Sequence, residues 1–190
     1  MGWQAWLVLG FVLIAGTAVY FFLQHSASAV KGDGDVTPLG IQASQLDKNK
    51  NYTPVNGSYA PPFQLAAVDG SIINLASTEG RNKMIVFMTT DCVYCLQEIE
   101  HNNEIYKSGK VDFIMIDTSE SSDVVAQYIK NNNVEFPIYL DSNGNVTEWY
   151  AIQGTPTHFF VDEENKIFDR KIGLAKPAQI DDYVSRLIAH

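Results

Sequence analysis

The feature that most constrains this chain is a continuous apolar run, Met84-Ile85-Val86-Phe87-Met88, followed four positions later by Cys92-Val93-Tyr94-Cys95. A run of strand length with no polar position has no face to offer water. It must be covered on both sides, as the inner strands of parallel and mixed sheets are. The next stretch, from about Val93 to Lys107, is helical with Leu96, Ile99 and Ile105 as its apolar positions, and Ser108-Gly109 stops it. The cysteine pair therefore lies where a strand turns into a helix. There Cys92 meets unpaired backbone N–H groups and the positive end of the helix dipole, both of which favour a thiolate. These are the chain's only two cysteines. Two thiols so spaced support two-electron exchange: one thiolate attacks a disulfide and its neighbour resolves the mixed intermediate.

The surrounding sequence alternates strand and helix signals. Pro61-Pro62-Phe63-Gln64-Leu65, then Asp69-Gly70, then Ile72-Ile73-Asn74-Leu75, predict a β-hairpin with a tight turn. Val111 to Asp117 is a second buried strand, and Ser122 to Asn131 a helix with Val124, Val125, Tyr128 and Ile129 inward. Phe136 to Leu140 is a short strand with a turn after it, and a short helix surrounds Trp149. Gly154-Thr155-Pro156 leads into a strand from Thr157 to Val161, which pairs as a hairpin with Lys166 to Ile172. Pro177 opens a last helix that buries Ile180, Val184 and Leu187 or Ile188. The fold class is α/β, and with 46% hydrophobic residues in a 190-residue chain, one ordinary core is expected.

The N-terminus sets the compartment. Trp3 to Leu23 is uncharged and almost wholly apolar; its 21 residues, at 1.5 Å each, match a hydrocarbon core of roughly 30 Å. Residues 1–24 are expected to form a transmembrane anchor. A cleaved signal peptide is the rival, favoured by Ala27-Ser28-Ala29 but opposed by the length of the run and the lack of a basic n-region. Residues 25–59, rich in Ser, Asn, Gly and Asp, are expected to be a flexible linker, and residues 60–190 the folded domain. The formal charge of −9 falls wholly on residues 60–190, because Lys31, Lys48 and Lys50 balance Asp33, Asp35 and Asp47 upstream. An acidic domain of this kind argues against nucleic acid as a partner.

The order of these motifs resembles the membrane-anchored TlpA/ResA-like thiol-disulfide oxidoreductases of the thioredoxin superfamily. The likeness runs from about Ala60 to Ile188. It rests on Ala60-Pro61-Pro62-Phe63 with Asp69-Gly70, the strand leading to Cys92-Val93-Tyr94-Cys95, the segment ending Phe136-Pro137-Ile138-Tyr139-Leu140-Asp141, and Tyr150-Ala151-Ile152-Gln153-Gly154-Thr155-Pro156-Thr157. The resemblance implies a thioredoxin-like fold with an N-terminal β-hairpin and a central αβ insertion. It implies a monomer held by one span in a bacterial cytoplasmic membrane, on the extracytoplasmic (periplasmic) side. Electrons would pass from a membrane thiol-disulfide donor, through a redox-active Cys92–Cys95 disulfide and no other cofactor, to disulfide-bearing proteins such as apocytochromes c. Cys92 matches the attacking thiol and Cys95 the resolving one. Thr155-Pro156 matches a cis-proline turn that offers backbone groups to the partner, and Glu98 the glutamate that tunes the cysteines.

Departures from the family pattern point to the couple's character. The usual tryptophan before the pair, proline within it and proline after it are replaced by Asp91, Val93-Tyr94 and Glu100, and the carboxylate that thioredoxin buries on the preceding strand would fall at Val86. Asp91, Glu98 and Glu100 put like charge beside a nascent thiolate, so a reducing couple is expected, with a Cys92 pKa at or above thioredoxin's roughly 7. On residue statistics alone, these three carboxylates and His101 would be solvated and His158 a packed or hydrogen-bonded residue. Tyr94, between the sulfurs, is expected to be an exposed contact for a partner peptide, unless it packs on Phe87 or Trp149. Two other classes use the same fold. A copper or haem-pathway chaperone would use the sulfurs as soft ligands, although its copper form spaces them by three residues and adds a histidine. A peroxiredoxin would use Thr89, three before Cys92, but Ile85 stands where its proline is expected.

Overall fold

The computed structural model describes residues 47–190. The expected anchor and most of the expected linker lie outside the described residues. Among the described residues, no helix is long and apolar enough to cross a membrane.

The apolar run forms β3 (Lys83–Met88), all six residues of which are buried. Its alternation divides the core in two. Met84, Val86 and Met88 join one cluster, and Ile85 and Phe87 the other. β3 lies at the centre of a five-stranded sheet with β4 (Asp112–Asp117), β5 (Ile138–Leu140), β6 (Thr157–Val161) and β7 (Ile167–Ile172), in the order β5-β4-β3-β6-β7. The pairs β3/β4 and β4/β5 are parallel, while β3/β6 and β6/β7 are antiparallel. Parallel neighbours need crossover connections, which α1 (Val93–Ser108) and α2 (Ser122–Asn131) supply. Together with α4 (Pro177–Ile188), these helices cover the face of Val86 and Met88. The opposite face is covered by the hairpin β1 (Gln64–Ala66) and β2 (Ile72–Asn74), the residues before it and α3 (Asn145–Trp149). Each large apolar side chain so buried contributes about 1.5–3 kcal/mol. This is a thioredoxin-like α/β fold, with β5, reached through α2, at the place of the expected insertion.

Several expectations change with the packing. Leu96, Val124 and Ile188 carry the right periodicity yet are 46%, 44% and 47% exposed, and Leu187 rather than Ile188 closes the core. His101 is not a solvated helix residue, because its ring lies between Glu104 and Asp181 at 2.9 and 3.1 Å and so links α1 to α4. Packing also extends upstream of Ala60. Gly57 N–H donates to the Ile167 carbonyl at 2.7 Å, Ile167 N–H to the Ser58 carbonyl at 2.9 Å, and Ala60 N–H to the Asn165 carbonyl at 2.8 Å.

Candidate active site

The strand-to-helix junction builds the site. Cys92 is the N-cap of α1, in extended backbone, and its Sγ accepts the Cys95 N–H at 3.0 Å. A sulfur placed there receives one of the N–H groups that an α-helix leaves unpaired at its start. Cys92 and Cys95 form a disulfide with their Cα atoms 5.2 Å apart. The two sulfurs are not equivalent. Cys92 is half-buried, whereas Cys95 is 2% exposed and belongs to the core cluster with Met88 and Ile99. The two residues after Cys92 are apolar and exposed, Val93 at 66% and Tyr94 at 56%, while Asp91 before it is an exposed carboxylate. Tyr94 therefore stands in solvent and does not pack on Phe87 or Trp149.

The turn before β6 lies at the same end of the sheet, since Thr157 pairs with Phe87 in the antiparallel register. The Thr155-Pro156 bond is cis and Pro156 is buried. A hydroxyl pair ties this turn to the loop before Cys92. Thr89 O–H donates to Asp91 at 2.7 Å, which commits its proton, so the 3.4 Å contact with Thr155 uses the Thr155 O–H as donor and Thr89 Oγ1 as acceptor.

Glu98 is 3% exposed rather than solvated. Its Oε1 accepts the Ala175 N–H at 2.7 Å, and its Oε2 lies 2.9 Å from Nε2 of the fully buried His158. His158 Nδ1 is 3.2 Å from the Lys171 carbonyl, an atom that can only accept, so Nδ1 carries a proton. Nε2 and Oε2 face each other across the second hydrogen bond of the ring. Glu98 thus connects α1 to β6 and to the segment before α4. His158 sits directly opposite Val86 in the register. The buried ionisable group is carried on the neighbouring strand and the facing helix instead of at Val86.

A second buried carboxyl was not singled out by the sequence reading. Asp117 ends β4 fully buried, and Glu120, three residues on, accepts from both the N–H and the O–H of Thr90, at 2.6 Å each. The signal in the sequence was an acid, Asp117, closing the apolar run Phe113 to Ile116, followed three positions later by another acid. Among the described residues, no group of three or more His, Cys, Asp or Glu side chains is placed to hold a metal ion. Exchange between thiols and disulfides is the chemistry this arrangement supports.

Comparison with known proteins agrees with this geometry. The family model described as Redoxin matches residues 55–187. The thiol-disulfide oxidoreductase ResA of Bacillus subtilis is 30% identical over 132 residues, covering 68% of this chain and 74% of the relative. The chain belongs to the ResA/TlpA-like thiol-disulfide oxidoreductases of the redoxin family. The crystal structure of StoA from Bacillus subtilis superposes on this oxidoreductase with a TM-score of 0.57 at 26% identity, over 64% of this chain and 95% of that one. A thiol:disulfide interchange protein of Chlorobium tepidum shares the fold, with a TM-score of 0.63 at 23% identity over 70% and 98% of the two chains. The chain is a thiol-disulfide oxidoreductase, and its Cys92 and Cys95 lie bonded together in the structure.

Proposed function

We propose that this oxidoreductase is a membrane-tethered reductase of protein disulfides, working on the extracytoplasmic side of a bacterial cytoplasmic membrane, with apocytochromes c among its substrates. The carrying observation is the asymmetry of the sulfurs: Cys92 is accessible and capped by a backbone N–H, and Cys95 is buried behind it. In the reduced protein the Cys92 thiolate attacks one sulfur of the partner's disulfide, forming a Cys92–partner bond and releasing the other partner sulfur as a thiolate. Cys95 then gives up its proton and attacks Cys92 Sγ, forming the Cys92–Cys95 bond and expelling the second partner thiolate. The partner gains two electrons and takes up two protons, and the oxidised pair is reduced again by a membrane-bound dithiol donor.

In this reading exposed Tyr94 gives the partner peptide an apolar contact, and the Thr155-Pro156 turn gives it backbone groups. Glu98 tunes the pair from one helical turn beyond Cys95. The uncharged stretch from Trp3 to Leu23 supplies the tether, and a monomer suffices. Replacing Cys95 with serine removes the resolving thiol and is expected to leave partners covalently attached to Cys92 in cells that export the protein. If no mixed disulfide accumulates, or if those that do fail to depend on Cys92, the proposal is wrong.

A further inference from the structure

The exchange chemistry leaves one buried ionisable pair unused. Asp117 pairs with Met88 in the parallel register of β3 and β4. Strand alternation turns its side chain to the face of Phe113 and Met115, which α1 covers with Cys95 and Ile99. Asp117 Oδ1 accepts the Glu120 N–H at 2.8 Å, while Oδ2 is buried with no N–H or O–H donor. Glu120 spends one oxygen on the Thr90 N–H and the other on the Thr90 O–H. Thr90 is two residues before Cys92, so a single carboxylate holds both the backbone and the side chain of the loop that presents the attacking sulfur.

The charges around this pair are all acidic. Asp141, following β5, faces Asp117, and Asp91 faces Glu120. From α2, Tyr128 contributes a buried hydroxyl without a partner. No Lys, Arg or His forms an ion pair with Asp117 or Glu120 among the described residues. Asp141 is occupied by Val146 and Thr147. Two adjacent carboxyls without a cation do not both ionise readily, and a buried oxygen with no donor is satisfied when it carries the proton itself. Burial first, and then the hydrogen bond to Glu120, push Asp117 up to about 8. Burial alone would raise Glu120, but the hydrogen bonds from Asp117 and Thr90 outweigh it and hold Glu120 below its ordinary value.

We propose that Asp117 is a positioning residue for the exchange: its neutral carboxyl donates an O–H to the Glu120 carboxylate, and Glu120 held in this way fixes Thr90 and the loop that presents Cys92. When Asp117 ionises, like charge drives the two carboxylates apart, Thr90 loses its anchor and negative charge accumulates beside the site. Coupling runs both ways, so a thiolate at Cys92 tightens the hold of Asp117 on its proton. The inference rests on the exchange function only for its kinetic consequence, because the proton itself is observable without turnover.

The test follows the Asp117 side-chain carboxyl carbon and the Thr90 amide by NMR in the oxidised full chain from pH 4 to 10, and the rate of Cys92 alkylation by iodoacetamide in the reduced chain. Expected are a shared midpoint near 8 for Asp117 and Thr90, and an inflection in the alkylation profile that tracks them. In Asp117→Asn the amide N–H replaces the carboxyl O–H, so Thr90 is expected to stay fixed across that range and the extra inflection to vanish. Asp117 titrating in the ordinary carboxylate range, Thr90 ignoring its titration, or an unchanged alkylation profile in Asp117→Asn would each overturn the proposal. The wild-type titration carries the first of these tests even if the variant fails to fold. If neither form reduces any protein disulfide while Thr90 still follows Asp117, the function proposed above fails and the hydrogen-bonded positioning stands.

Discussion

Replacing His158 with leucine isolates the contact that joins α1, β6 and the segment before α4. The side chain is fully buried and leucine fills a similar volume, so the cavity contribution is small. What is lost is the 2.9 Å partner of Glu98 Oε2 and the 3.2 Å donor to the Lys171 carbonyl, while Glu98 keeps only the Ala175 N–H at 2.7 Å. A carboxylate that is 3% exposed is then left without its counter-group, which costs about 3–5 kcal/mol. In a Glu98→Gln background the same position is neutral. Its carbonyl still accepts from Ala175, and His158→Leu there removes neutral hydrogen bonds worth about 1–2 kcal/mol. The two substitutions should therefore couple by about 2 kcal/mol, well above the few tenths expected of independent sites. Urea unfolding of the wild type, both single variants and the double variant at pH 7 measures this coupling directly. If His158→Leu costs the same with Glu98 as with glutamine, Glu98 and His158 are not coupled through the 2.9 Å contact.

Other expectations follow from the same geometry. The folded chain holds the Asp117 proton to about pH 8 against an ordinary 3.8, so it binds more protons than the unfolded chain between those values and its stability falls as pH rises through that window. Glu120, held below its ordinary 4.5, acts in the opposite sense and only at more acidic pH, where its contribution is lost as pH falls. Asp117→Asn should flatten the decline in urea midpoint between pH 5 and 8, and a decline parallel to the wild type would refute the assignment. Asp141 is fully buried and accepts the Val146 N–H at 3.2 Å and the Thr147 N–H and O–H at 2.7 Å each, ahead of α3. Its replacement by alanine should cost about 2 kcal/mol in thermal or urea unfolding, and a loss below half of that would mean these bonds are not formed in solution. Asp91 and Glu100 keep exposed carboxylates near the helix start while Glu98 is buried against His158, so the couple should equilibrate with glutathione nearer thioredoxin's about −270 mV than the about −120 mV of strong oxidants. A potential above about −195 mV, midway between those two values, would contradict this.

What the sequence discloses and what it hides divide along sequence separation. β3, α1 and the end of α1 at Gly109, whose φ is 61°, were legible because a continuous apolar run, a helical period and a glycine stop are local signals. The cysteine pair was legible for the same reason. Leu96 and Val124 share the helical period of their buried neighbours, yet the rotation of each helix against the sheet, which the period does not specify, leaves them in solvent. The polar core was hidden. Glu98 meets His158 across 60 residues, Glu120 meets Thr90 across 30, and His101 meets Asp181 across 80. Those partnerships exist only once the β3/β6 and β3/β4 registers and the docking of α4 are set. Residues 57–59 escaped notice because they join the domain through backbone hydrogen bonds and so need no apolar period.

The central claim is that Cys92 attacks and Cys95 resolves, and it is tested most directly by competitive alkylation of the reduced chain with a limiting amount of iodoacetamide at pH 7, followed by peptide mass spectrometry. A half-buried sulfur capped by an N–H at 3.0 Å, beside one that is 2% exposed, predicts modification of Cys92 in at least about tenfold excess over Cys95. Equal labelling, or a preference for Cys95, would contradict the account.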